Sequence, residues 1–430
     1  MVLRAMFSGV SGLRAEGEAL GVVGDNIANV NTVGFKAQRA VFQDVLGHSI
    51  LAGTSSALPG SGVRMGDVQQ LFTQGSITNT GVSTDVALNG DGFLVVAGTV
   101  DGITGNFYTR AGQLTLDKNG FIVNQQGLNV QGYLANADGT LQASVNDLQV
   151  PTASLQPFAT TGIQVTANLD PRDPVLTFDV TQAAQTSNFS TSISVFDSLG
   201  TARTLDVYFN NAGGNLYNYS VVAHGEDLAG GTAGVDQVVG TGTLQFNSDG
   251  ALDTATTPPL SLSFAGGATA NQAIELDFGP DITNDGSTGL LGTTQFASDS
   301  AVSSQSQDGY TSGEFSGLAI DGTGLVQGLY TNGQKVTIGQ LAVAKFRSND
   351  GLGRAGQNLW IETRESGTAA LGGASTGGRA SVSAGALESS NVDLGEEFVG
   401  LIQHQRSFSA NSKTITTADE MLQELINIKR

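Results

Sequence analysis

Two apolar columns at heptad spacing stand at opposite ends of the chain. Met6, Leu13, Leu20 and Ile27 recur every seven residues, with Leu3, Val10, Gly17 and Gly24 as their companion column. Near the other end Leu394, Leu401, Phe408, Ile415 and Leu422 repeat in the same way, interleaved with Phe398 and Ile426. A 3,4 spacing collects such residues on one stripe of an α-helix, and a stripe kept up over several heptads needs a partner helix. The simplest partner for each is the other, so the chain is expected to bring its two ends together as a paired coiled coil. Glycine inside a helix costs about 1 kcal/mol relative to alanine, so Gly17 and Gly24 predict a close approach at those points. Asn391 and Asp393 are placed to cap the second helix, with Glu396 and Glu397 complementing its dipole. The column beside its apolar stripe is mixed, with Gln405, Ser412 and Asp419, which suits one helix partner on one side and further subunits or water on the other.

Between the ends the period changes to two. Gly92–Val96, Gln113–Asp117 with Phe121–Val123, and Ile193–Asp197 with Thr204–Phe209 alternate around Asn-Gly, Asp-Gly or Leu-Gly punctuation, the pattern of β-hairpins. The 59 glycines among 430 residues fit short strands and tight turns. The predicted fold class is therefore mainly β with terminal α-helices, carrying two antiparallel β-domains outward from the helix pair. Residues 146–302 hold 16 acidic residues against Arg172 and Arg203 alone, out of a net charge of -20. So lopsided a stretch reads as a separate domain inserted into its neighbour. The expected division is 1–31 with 391–430 as paired helices, 32–70 as a linker or extended arm, 71–145 with 303–390 as one β-domain, and 146–302 as the inserted acidic β-domain. Residues 47–66 and 366–386, rich in Gly, Ser, Thr and Ala, read as linkers or extended arms.

The residues also exclude chemistries. With no cysteine there is no disulfide framework, thiolate nucleophile or zinc ribbon. His48, His224 and His404 lie far apart and read as isolated surface or loop histidines without ligand spacing. Gly351-Leu-Gly353-Arg-Ala-Gly356 matches a dinucleotide fingerprint, but a strand-like segment follows it where a helix is required. Gly373-Ala-Ser375-Thr-Gly377 lacks the strand and helix of a nucleophile elbow, and Asp281–Gly286 lacks the twelfth-position glutamate of a calcium loop. No catalytic, cofactor or metal site is expected. The negative charge disfavours nucleic acid. No apolar run is long enough to insert into a membrane, and no cleavable signal is expected.

Two ordered segments carry a resemblance. Asn26-Ile-Ala-Asn29-Val-Asn-Thr32-Val-Gly34-Phe35-Lys36, and Glu388 through Asn391-Val392-Asp393-Leu394 followed by Gln405-Arg406-Ser-Phe408, resemble the terminal signatures of the bacterial flagellar rod and hook proteins. Asn89–Val95, Tyr108–Asp117 and Tyr330–Phe346 are similar to their shared β-domain, and Phe196-Asp197-Ser-Leu199-Gly200 looks like a hook-type segment. The resemblance implies a non-enzymatic structural subunit that self-assembles into a curved hollow tube, a universal joint passing torque from rod to filament. It further implies contacts with a hook cap protein, the distal rod and the hook–filament junction, export through the flagellar type III apparatus, and an extracellular place at the hook and basal body. A distal-rod protein with an inserted domain is the alternative. In this reading Met6, Val10, Leu13, Gly17, Leu20, Gly24 and Ile27 would pack against the column from Leu394 to Leu422.

Overall fold

The computed structural model describes residues 2–46, 60–136, 138–151 and 153–428. Two compact units divide the chain, the first formed by Met1–Thr152, Gly317–Leu329 and Lys335–Arg430, the second by Ala153–Ser316 and Tyr330–Gln334.

Helices α1 (Val2–Ala28) and α3 (Leu394–Ile428) belong to the first unit. Asp393 caps α3 by accepting the Gly395 N–H at 2.7 Å, satisfying a donor that has no partner inside the helix. After α1 the chain forms a two-stranded antiparallel ribbon, β1 (Gln38–Leu46) and β2 (Gly60–Gln70), which pairs from Gln38↔Gln70 outward. Beyond it lies a sheet in the order Lys335–Lys345, Asn129–Ala135, Phe93–Val100, Ile103–Thr109, Leu359–Ile361, Gly353–Gly356. One of its faces packs around Phe93, Tyr108, Phe346 and Trp360, with Phe93 edge-on to Phe72 and Phe346.

The second unit is a meander of five antiparallel strands, Phe189–Phe196, Ala202–Gly213, Leu216–Ala223, Gln237–Phe246 and Leu252–Thr256. It shares one core with a four-stranded sheet in which Gly162–Asn168 lies between Gln272–Asp277 and Ala301–Gln307. The short helix α2 (Ala183–Thr186) leads into the meander. Alternating burial along Gln272–Asp277 is the period-two signature of a half-buried strand. Gly200, at φ 80°, turns the Ile193 hairpin.

Two expected linkers are structured. Residues 60–70 form β2, and within 366–386 the segments Ala370–Gly373 and Ser381–Ala384 pair with Lys335–Lys345 and Val86–Asn89. Small residues suit these strands because backbone and side chains press close: a Cβ at Gly372 would lie 2.5 Å from the Arg379 guanidinium. Residues 47–59, with His48, lie outside the described residues.

Candidate assembly surface

The turn after α1 is stitched to the segment before α3. Asn29 donates to the Asp25 carbonyl at 2.9 Å and accepts from Thr32 Oγ1 at 3.1 Å, which ends the helix. Gly34 takes φ 69°, and a Cβ there would meet Arg110 backbone at 2.6 Å, so only glycine lets its N–H reach the Glu388 carbonyl at 2.8 Å. Phe35 is buried beside it. Lys36 Nζ then donates to Glu388 Oε1 and to the Thr73 carbonyl, both at 2.7 Å. Arg110 Nη1 approaches Glu388 Oε2 at 3.3 Å, and the Gly75 N–H donates to Oε1 at 3.0 Å. One carboxylate thus joins three segments far apart in sequence.

Asn26 and Asn391 close the clasp on either side. Asn26 exchanges two hydrogen bonds with the Gln38 backbone and donates to Glu397 Oε1 at 2.8 Å. Asn391 accepts from the Ala37 N–H at 2.7 Å and donates to Leu71 and Thr73. Asn391 therefore bridges to the start of the β-unit, and the helix cap falls to Asp393. The Val392 N–H donates to Ser390 Oγ, while Gln405 and Arg406 are exposed on α3.

Electrostatically the clasp is lopsided: Lys36, Arg110 and Glu388 are each at most 3% exposed, so two cations share one anion. Burial pushes the Lys36 ammonium below its ordinary 10.5, with Glu388 opposing that shift. Burial likewise lowers Arg110, whose guanidinium lies 5.3 Å from the Phe93 ring centroid. Burial raises Glu397 above 4.5 against the hydrogen bond from Asn26.

The helices run antiparallel: Gly9 sits on Ile415, Gly12 on Asn411, Glu16 on His404 and Asn26 on Glu397. A Cβ at Gly9 would lie 2.9 Å from Ile415 Cγ1, and one at Gly12 2.6 Å from the Asn411 amide. Gly9, Gly12, Ala15, Ala19 and Val23 are the buried apolar positions of α1, and of these Gly9, Gly12 and Val23 meet α3. The expected close approach thus falls at Gly9 and Gly12; a Cβ added at Gly17 or Gly24 would meet nothing within 4 Å. Small residues bring the two backbones together, whereas the large column of Met6, Leu13, Leu20 and Ile27 is half-buried, about a quarter-turn away at 3.6 residues per turn.

On α3 Leu394, Phe398 and Ile402 lie progressively farther round from the contact line, in the same rotational sense; they are 40%, 52% and 49% exposed. Leu401, Ile415 and Leu422 are half-buried, and Phe408 is exposed. A twofold relates antiparallel helices, so columns displaced in one rotational sense fall on one flank of the pair, giving a continuous apolar stripe. Two histidines read as isolated are in fact paired. His404 Nδ1 lies 2.6 Å from Glu16 Oε2 across the helices, and His224 Nδ1 2.8 Å from Asp236 Oδ1 in the second unit. Glu388, Gly9, Gly12 and Asn411 were missed as site residues. Glu388 stands within the C-terminal signature but nothing local marks it as the partner of Lys36, and the glycines lie off the large-residue column.

Among the described residues no group of histidine and carboxylates could hold a metal, and no helix is long and apolar enough to cross a membrane. Four family models match in chain order: flagella basal body rod protein (6–36), flagellar hook protein FlgE/F/G D1 domain (87–168), flagellar basal body protein FlaE D2 domain (164–310) and flagellar basal body rod FlgEFG protein C-terminal (383–428). The chain is 35% identical over 427 residues to the flagellar hook protein FlgE of Salmonella typhimurium, covering 98% of each. The chain belongs to the flagellar hook protein family. The Treponema pallidum flagellar hook protein FlgE matches at 33% over 470 residues and the whole of both chains. Among solved structures, Helicobacter pylori FlgE2 aligns with a TM-score of 0.51 at 14% identity, over 71% of this chain and 98% of that one, a likeness of fold. As a member of this family the chain is a self-assembling, non-enzymatic structural subunit of the flagellar hook and basal body.

Proposed function

We propose that copies of this chain stack into a curved hollow tube that serves as a universal joint between rod and filament. The observation that carries the reading is the apolar stripe along α1 and α3, whose adjoining ends are tied where Asn26 meets Glu397. Met6, Leu13, Leu20 and Ile27 with Leu394, Phe398, Leu401, Phe408, Ile415 and Leu422 present apolar area that a lone chain leaves partly wet, and such a face favours a partner. The paired helices line the inner tube, the β-part of the first unit (71–152, 317–329 and 335–390) forms the middle layer, and the second unit (153–316 with 330–334) faces outward. Bending requires outer contacts that exchange easily, and exposed ion pairs are worth only about 0–1 kcal/mol, in keeping with an acidic outer domain. The partners are other copies, a hook cap protein, the distal rod and the hook–filament junction, reached outside the cell after passage through the flagellar type III apparatus. Electron microscopy of basal bodies from a strain lacking the gene tests this: complete rods without hooks are expected, and truncated rods would make the chain a drive-shaft component instead.

A further inference from the structure

Opposite the apolar stripe, α1 carries a second apolar feature. The ribbon leans on the far flank of the helix, where the Val63 N–H donates to Ser11 Oγ at 3.2 Å, and Gly62 lies so near that a Cβ would clash with the same oxygen. Between helix and ribbon runs an open groove of about 450 Å³ with Phe7, Val10, Val63 and Met65 among its lining. Phe7 is 64% exposed at its lip. Among the described residues nothing covers it.

We propose that this groove receives α3 of a second copy, which seats the Leu394–Phe398–Ile402 face between α1 and the ribbon. The inference rests on the self-assembly reading and names which segments meet. Open helical polymers need a heterologous contact, two different patches on one chain that complement each other. The stripe and the groove are such patches, because they occupy opposite flanks of the helix pair and one copy can use both at once. Charge points the same way. Arg14 and Arg64 outnumber Glu18 along the groove, whereas the stretch of α3 that would be seated carries Glu396 and Glu397 with no lysine or arginine before Arg406. A second copy of α1, without an acidic excess (Arg4 and Arg14 against Glu16, Glu18 and Asp25) as large, fits less well.

The chain has no cysteine, so introduced thiols report contacts without background. Full-length Val63→Cys/Ile402→Cys, and separately Met65→Cys/Phe398→Cys, are co-assembled with excess wild-type chain, which keeps the polymer intact if a variant assembles poorly, and then oxidised. Covalent dimers from either double variant in the polymer, absent from the unassembled chain and from each single variant, are expected. Polymers without dimers from both pairs would overturn the proposal, as would dimers from Val63→Cys alone. More dimer from Val63→Cys/Leu13→Cys would also overturn it, by making α1 the occupant. Failure of the wild-type chain to polymerise at all would instead remove the self-assembly reading on which the proposal stands.

Discussion

Replacing Glu388 by alanine is the sharpest test of the clasp. The substitution leaves the Lys36 ammonium and the Arg110 guanidinium, 1% and 3% exposed, without their shared anion, and it orphans the Gly75 N–H that bonds Oε1 at 3.0 Å. Removing one partner of a buried ion pair costs about 3–5 kcal/mol, because the remaining charge is left in low dielectric. The lost backbone acceptor adds to this in the same direction. Trp360 is the one tryptophan of the chain. It is buried in the core of the first unit, donating to Gln70 Oε1 at 2.6 Å, so its fluorescence follows that unit alone. With a urea dependence of about 2–3 kcal/mol/M for a unit of this size, the midpoint should fall by about 1–2.5 M. Lys36→Met should cost less, since Arg110 and Glu388 then form a charge-balanced pair. A loss below about 0.5 kcal/mol for Glu388→Ala, or a larger loss for Lys36→Met, would refute the argument that two buried cations depend on this carboxylate.

Four further outcomes follow from the same geometry. Gly9→Ala should destabilise the helix pair by about 1–3 kcal/mol through overpacking on Ile415, whereas Gly17→Ala, which meets nothing, should stabilise α1 by about 0.5–1 kcal/mol; thermal melts of the helical circular-dichroism signal distinguish the two signs. Asn391→Ala, losing its bonds to Ala37, Leu71 and Thr73, should cost about 1–3 kcal/mol, read by the Trp360 midpoint. The hydrogen bond to Asp236 holds His224 above 6.5, so its contribution to the second unit is full below that pH and fades as pH rises through the folded value; NMR titration of the ring checks this, and Asp236→Asn should bring it back towards 6.5. Because burial lowers Lys36, the unfolded chain binds more protons between the folded value and 10.5, and the first unit should gain stability with rising pH across that window in urea titrations.

Much of this organisation is legible in the sequence because it rests on periodicity. Heptad columns place helices at both ends, and alternation with Asn-Gly punctuation places hairpins such as Thr115–Leu116 with Ile122–Val123. Reading went astray where close packing overrides size. The apolar stripe at Met6–Ile27 is real as a pattern, yet the closest contact with α3 is made at Gly9 and Gly12 beside it, since backbones approach only where side chains are small. At 366–386 composition did not reveal that small residues make tight paired strands, and the arm expected at 32–70 includes the paired ribbon of β1 and β2. The clasp was half legible. Asn26, Gly34 and Lys36 stood out, but the anion that satisfies Lys36 lies at Glu388, and only the fold brings the two within 2.7 Å.

The division of labour between small and large residues sets how folding relates to assembly. Burying a leucine- or phenylalanine-sized side chain contributes about 1.5–3 kcal/mol, but Gly9, Gly12, Ala15 and Ala19 have little side chain to bury, and much of the remaining contact is polar, through Asn411 and His404 with Glu16. The large residues that could hold the pair together, Phe7, Phe398, Val399 and Ile402, are instead 64%, 52%, 66% and 49% exposed. A lone copy thus has a firm β-unit and clasp but a weakly held helix pair, fixed chiefly where Asn26 meets Glu397. In the proposed polymer neighbouring copies supply the missing apolar contact, so the ordering of α1 and α3 would draw its free energy from assembly.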